Sequence, residues 1–201
     1  MLWVAGSCLF NIFLLVLPIP GSAAILDRYQ GTVPNVMVTS PRGFYFQAVD
    51  VTISIPLPAA RLAVTFDGSE PAVASAWPVG SNVTLHITNT TILRARAFRE
   101  NWCPGEISTH SYIFPDSVPA QQAPPGAAGF WQDRTERVAP DWTIDSSVIK
   151  DRRQLTDALL ALPAISIVTG PAVLFGAANG IYVHSLEGGS ETIRQASIEL
   201  I

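Results

Sequence analysis

The side chains able to move a proton, hold a metal or attack a substrate are few in this sequence, and their spacing decides what they can do. There are three histidines, His86, His110 and His184, and two cysteines, Cys8 and Cys103. No E-x-x-H or H-x-H spacing links the histidines to each other or to a carboxylate, so neither zinc ligation nor a positioned general base is written into them. Structural roles in strands suffice. Asp141, Asp145, Asp151 and Asp157 are dense enough to suggest calcium. They lack the D-x-D-x-D-G spacing and closing Glu of a calcium loop, and a solvated, partly helical face is expected instead. Gly176 to Gly180 and Gly188-Gly189 carry no phosphate-loop pattern, and Lys150 is the sole lysine, so turn chemistry accounts for them. Ser166 and Ser185 stand outside any G-x-S-x-G context. No catalytic residue, cofactor ligand or metal ligand is therefore expected, and the chain is read as not an enzyme. Trp77, Trp102, Phe44, Tyr45 and Phe46 are the candidates for stacking on a sugar ring, with Trp77 and Trp102 the named contacts. Core packing or loop anchoring uses the same rings equally well.

The elements that must position these residues are short and β-prone. Val36 to Thr39 is followed by the turn Ser40-Pro41-Arg42-Gly43. Val49 to Ile55 then alternates strictly, with Val, Val, Ile and Ile on one face and Asp, Thr and Ser on the other. Leu62 to Phe66 is a third strand. It ends in Asp67-Gly68-Ser69-Glu70-Pro71, where Asp-Gly suits positive φ and proline cannot extend a central strand. Asn82 to Ile87, Thr91 to Arg99 and Ile107 to Phe114 complete the set; Leu93, Ala95 and Ala97 are expected inward and Arg94 and Arg96 on the solvent side. The fold class expected is mainly β: a small immunoglobulin-like β-sandwich over residues 35–114. Residues 115–147 read as a Pro/Ala/Gly-rich linker and extended segment. Residues 148–201 read as a short, incomplete α+β segment: a helix ended by Pro163, strands at Ile165 to Thr169 and Gly180 to His184, and a last apolar run, Ala196 to Ile201. That segment is short for a domain and is expected to be the start of something longer, its final run poorly ordered or self-associating.

Charge and hydropathy narrow the partners. A net charge of −4 with only 14% charged residues leaves no broad basic surface, which excludes a nucleic-acid partner that depends on one. Mean hydropathy is +0.31, but the excess sits in the first 24 residues. The apolar run Leu9 to Leu17, Pro18 and Pro20, and the small residues Gly21-Ser22-Ala23-Ala24 read as a signal peptide over residues 1–24. The run is short for a bilayer span. The protein is thus expected to be secreted or at the cell surface, with no membrane association after cleavage. Cys8 leaves with the leader, and Cys103 is then alone, without an internal disulfide. The sequons at Asn82 and Asn89 would matter only in a eukaryote.

From Pro41 to Phe114, most closely in Asp67 to Pro71 and in Thr90 to Phe114, the sequence resembles the chitobiase/β-hexosaminidase C-terminal-type domain, close to the fibronectin type III associated repeat. The shared features are the DGSEP turn, the T-x-LRARAF strand (Thr91 to Phe98) and the T-H-x-Y-x-F closing strand (Thr109 to Phe114). Where that family usually has Tyr-Thr-Thr before the turn, this chain has Val64-Thr65-Phe66. The resemblance implies a non-catalytic sandwich appended to secreted bacterial enzymes and surface proteins. Leu162 to Ile201, through LPAISIV, LFGAANGIYV and ASIELI, resembles the opening of CotH-like proteins, in which a similar sandwich precedes a kinase-like domain. It departs from them at Gly170-Pro171-Ala172-Val173, where an acidic residue is usual, and at Glu191-Thr192-Ile193-Arg194, in place of Trp-Glu-Arg. The nucleotide and metal ligands of such a kinase would lie beyond Ile201, so none is carried over. The function expected is spacing, adhesion or presentation as a secreted bacterial accessory module. The alternatives are a carbohydrate-binding module and the front of a CotH-like atypical kinase; the partners are polysaccharide or other domains of a longer chain.

Overall fold

The computed structural model describes residues 29–74, 82–123, 131–132, 137–138, 141–145, 147 and 151–201. The expected leader, Trp77 and Lys150 lie outside them, as do residues 124–129 of the charge-free stretch 117–129. The described residues are mainly β: two sheets form a sandwich-like domain, and a small α/β segment follows. The strands of the sandwich are β1 (Met37–Val38), β2 (Gly43–Phe44), β3 (Val49–Ser54), β4 (Arg61–Thr65), β5 (Asn82–Ile87), β6 (Thr91–Phe98) and β7 (Ser108–Ile113). One sheet has the order β1-β3-β5 and the other β2-β7-β6-β4. All pairs are antiparallel except β2 with β7. Two further β8 and β9 strands (Trp131–Gln132, Arg137–Val138) pair with each other.

Alternation explains which faces meet. In β3, Val51 and Ile53 are fully buried, while Thr52 and Asp50 face outward. There Thr52 is hydrogen-bonded to Thr84 and Asp50 to His86, each the cross-strand partner in register. From the second sheet Leu62, Leu93, Ala95, Ala97 and Tyr112 fill the space between the layers. Tyr112 keeps its hydroxyl satisfied by donating to the Ser40 carbonyl at 3.0 Å, as a buried phenol must. Tyr45 packs on Tyr112 and Phe114. Val33, ahead of the expected boundary at Asn35, is 1% exposed because residues 30–33 pair with 101–103 through Gln30, Val33 and Cys103 backbone bonds. Cys103 is disulfide-bonded. This corrects the expectation of a lone thiol, which followed from removing Cys8 with the leader.

The segment after the sandwich differs from expectation in three places. Residues 115–120 form a 3-10 turn continuous with β7, so the extended segment starts later than Pro115. Helix α1 (Arg152–Leu160) is capped by the Asp151 carboxylate, which accepts from the Gln154 amide at 3.1 Å. Beyond β10 (Ile165–Val168), Pro171 opens a one-turn helix, α2 (Pro171–Phe175), where a loop was expected; proline at the first helical position is pre-organised for it. Gly180 to His184 is a run of turns, not a strand. Four of its amides are used within turns and against α2, Gly180 to Gly176, Ile181 to Val173, Tyr182 to Leu174 and His184 to Gly180, and so are not available to a strand ladder. The last strand, β11 (Ser197–Leu200), pairs with β10 along its whole length.

Candidate functional site

The outer face of the β2-β7-β6-β4 sheet is where the sequence pattern and the structure part. Alternation places Arg94 and Arg96 on that face, as expected, but the face is not solvent. Arg94 is 8% exposed because the Asp67–Pro71 turn folds over it, and its guanidinium donates to the Gly68 carbonyl at 2.7 Å. Burial pulls the Arg94 pKa below its ordinary value, opposed by the carboxylates of Glu70 and Asp67. Arg96 donates to the Gly105 carbonyl and pairs with Glu70 at 3.0 Å. The turn itself is closed by the Asp67 carboxylate, which accepts from both the amide and the hydroxyl of Ser69. Those bonds hold the Asp67 pKa below 3.8. Gly68 takes φ +79°, and a Cβ there would stand 2.8 Å from the Thr169 carbonyl oxygen. The sequence identified this turn from Asp-Gly chemistry; that it seats Thr169 is a tertiary fact.

Beside the turn, the two-stranded β10–β11 sheet docks on β7 through polar groups. Glu199, 2% exposed, accepts from the Ser111 hydroxyl and pairs with Arg42 at 3.1 Å. Ser111 is also hydrogen-bonded to Ser166 at 2.7 Å, and Thr109 donates to Ser197 at 3.0 Å. Each buried hydroxyl and carboxylate oxygen in this seam has a partner from the other side, the condition under which buried polarity is tolerated. Sequence reasoning did not single out Arg42, Ser111 and Glu199. The available signal was the Ser197/Glu199 face of the last strand, opposite Ile198 and Leu200.

The expected sugar contact Trp102 borders a separate groove of about 500 Å³, lined among others by Tyr29, Arg61, Val73, Phe98 and Arg99. Its indole is already engaged. The Arg99 guanidinium lies 4.7 Å from the ring centroid, Nε1–H donates to the Gln30 side chain at 3.2 Å, and Gly31 packs against the ring so closely that a Cβ there would meet it at 3.0 Å. Trp102 thus forms a wall of the groove, fixed by a cation–π contact. Of the other aromatics, Tyr45 belongs to the core margin and Phe46 is 56% exposed.

The aspartate cluster separates into local turn and cap chemistry. Asp141 accepts from Thr143, Asp145 from the Ser147 amide, and Asp151 caps α1. No group of three metal-ligating side chains occurs among the described residues, nor is any described helix long and apolar enough to cross a membrane. His86 sits on Asp50 at the surface. His110 bonds to Ser108 at 3.0 Å, and its buried Nδ1 has no hydrogen-bond partner. His184 bonds through Nδ1 to Glu187 and through Nε2 to the Ala177 carbonyl, both at 2.8 Å. Two acceptors facing the two ring nitrogens favour the doubly protonated imidazole.

These two histidines predict opposite pH dependences. Burial, with Arg42 nearby, lowers the His110 pKa from 6.5, so below that value the unfolded chain takes a proton that the folded one refuses. Its contribution is present above 6.5 and stability falls as pH drops. For His184 the bond to Ala177, then that to Glu187, raises the pKa. Its contribution is whole below 6.5 and is lost as pH rises through the folded value. Urea midpoints measured from about pH 5 to about pH 8 should lose their acid-side slope in His110→Gln and part of their alkaline-side slope in His184→Gln. Unchanged slopes in both variants contradict the assignment.

No family model and no curated protein matches the chain. Among solved structures, it is similar to the sulfur carrier protein SoxY from Chlorobium limicola f thiosulfatophilum, with 10% identity over 46% of this chain and 93% of that one and a TM-score of 0.28. It is also similar to superoxide reductase (neelaredoxin) from Ignicoccus hospitalis, with 15% identity over 45% and 86% of the two chains and a TM-score of 0.27.

Proposed function

We propose that this chain is a non-catalytic accessory module of a secreted bacterial surface or extracellular protein, and that its work is presentation: the sandwich holds the segment that follows it in one orientation. The observation that carries this reading is the buried polar seam, in which Glu199 is held from the opposite side by both Arg42 and Ser111. An apolar contact tolerates sliding. A seam of directional bonds is satisfied in one register only, because any other leaves a buried carboxylate and hydroxyls without partners. The resemblance of Pro41 to Phe114 to the chitobiase/β-hexosaminidase C-terminal-type domain supports an accessory role, and that of Leu162 to Ile201 to CotH-like openings names the kind of unit presented. Electron–electron distance measurements between spin labels at the exposed Thr84 and Ser185 test the reading. A single narrow distribution is expected, and a broad one in the unsubstituted chain overturns it in favour of a flexible spacer.

The Trp102 groove supports a second reading, polysaccharide binding, since it combines aromatic walls with Arg61 and Arg99. Titration with neutral and uronic-acid oligosaccharides, beside a Tyr29→Ala variant, tests it; heat absent with every glycan removes it.

A further inference from the structure

The two-stranded β10–β11 sheet is amphipathic. Its polar face, Ser166, Ser197 and Glu199, is the one turned inward onto β7. The other face carries Ile165, Ile167, Ile198 and Leu200, which are 64–71% exposed. The register pairs Ile165 with Leu200 and Ile167 with Ile198, so the four side chains form one contiguous block with no charged residue in it. Scattered exposed aliphatics are ordinary, but a contiguous block on paired strands marks an interaction surface.

We propose that this face is covered by the same face of a second copy of the chain. At their exposure the four side chains offer roughly 500 Å² per copy, so a face-to-face pair that covers them fully, together with their rim, reaches about 1,000 Å², the lower bound for a specific interface. The block is also self-complementary: two antiparallel strands, each contributing two branched aliphatics, meet their own image across a two-fold axis without juxtaposing charges, whatever the net charge of −4. A small apolar interface of this kind is a weak one, and its area alone does not set its affinity. It is insensitive to sodium chloride and tightened by sulfate, unlike a charge-driven contact.

Sedimentation velocity of the full chain from about 1 to about 200 µM tests the proposal. The expected result is a monomer–dimer equilibrium that Ile167→Glu with Ile198→Glu weakens by more than tenfold, while Met37→Lys, at an exposed apolar position on the sandwich, leaves it unchanged. Because the double substitution could disturb this two-stranded sheet, a photo-crosslinking benzoylphenylalanine at Ile165 provides a second measurement, expected to yield covalent dimers joined through β10–β11. A monomer over the whole range, dimerisation unaffected by the double variant, or crosslinks mapping elsewhere each overturn the proposal. So does a monomer that binds phosphatidylcholine vesicles through this face, which would assign the face to lipid.

Discussion

Gly68→Val should lower the stability of the protein by about 3 kcal/mol, well beyond an ordinary surface change. Two costs combine. At φ +79° a β-branched residue occupies the left-handed region at a cost of roughly 1–3 kcal/mol. In addition, the new Cβ would lie 2.8 Å from the Thr169 carbonyl oxygen, and backbone cannot swing aside as a flexible side chain can, so overpacking adds roughly another 1–3 kcal/mol. Gly68→Ala has the same clash with less conformational strain and should cost less. Urea unfolding followed by tryptophan fluorescence gives the comparison. If the valine variant unfolds at the midpoint of the unsubstituted chain, the turn does not have this geometry.

Glu199→Ala is the second large effect, and its signature is local. Removing the carboxylate leaves Ser111, which is completely buried, with Ser166 alone, and takes the partner from Arg42. Stranding buried polar groups costs about 1–3 kcal/mol. The Arg42 pairing contributes the smaller share, because that side chain is 45% exposed and water screens it. Glu199→Gln, which keeps an oxygen for Ser111, should therefore cost less than half as much as the alanine. Hydrogen exchange should quicken in β10 and β11 while β3, β5 and β6 stay protected, because the seam joins the two-stranded sheet to a sandwich with its own core. Equal effects of the two substitutions would mean that the ion pair dominates, and uniform acceleration across all strands would mean that the β10–β11 sheet and the sandwich unfold as one unit.

Local chemistry is what the sequence by itself determined. Strict alternation in Val49 to Ile55 assigned the inward face of β3 because side-chain direction along a strand has period two, and Leu93, Ala95 and Ala97 were identified inward for the same reason. The Asp67–Pro71 turn was legible because Asp-Gly carries its own conformational preference and Ser69 supplies the closing donors. The tertiary structure decided everything that depends on what lies against a face. Arg94 was assigned to the correct side of β6 but to the wrong medium, since only the folded chain shows the turn covering it. Strand β2 is two residues long and pairs in parallel with β7, remote in sequence, so no local pattern announces it. In Gly180 to His184 the β-prone residues are overridden by backbone bonds to Val173 and Leu174. In β11 alternation shows that Glu199 opposes Ile198 and Leu200, yet it cannot say which face turns inward. Arg42 and Ser111 decide that: they offer a buried carboxylate the partners it needs, and so the polar face docks and the apolar one is left outside.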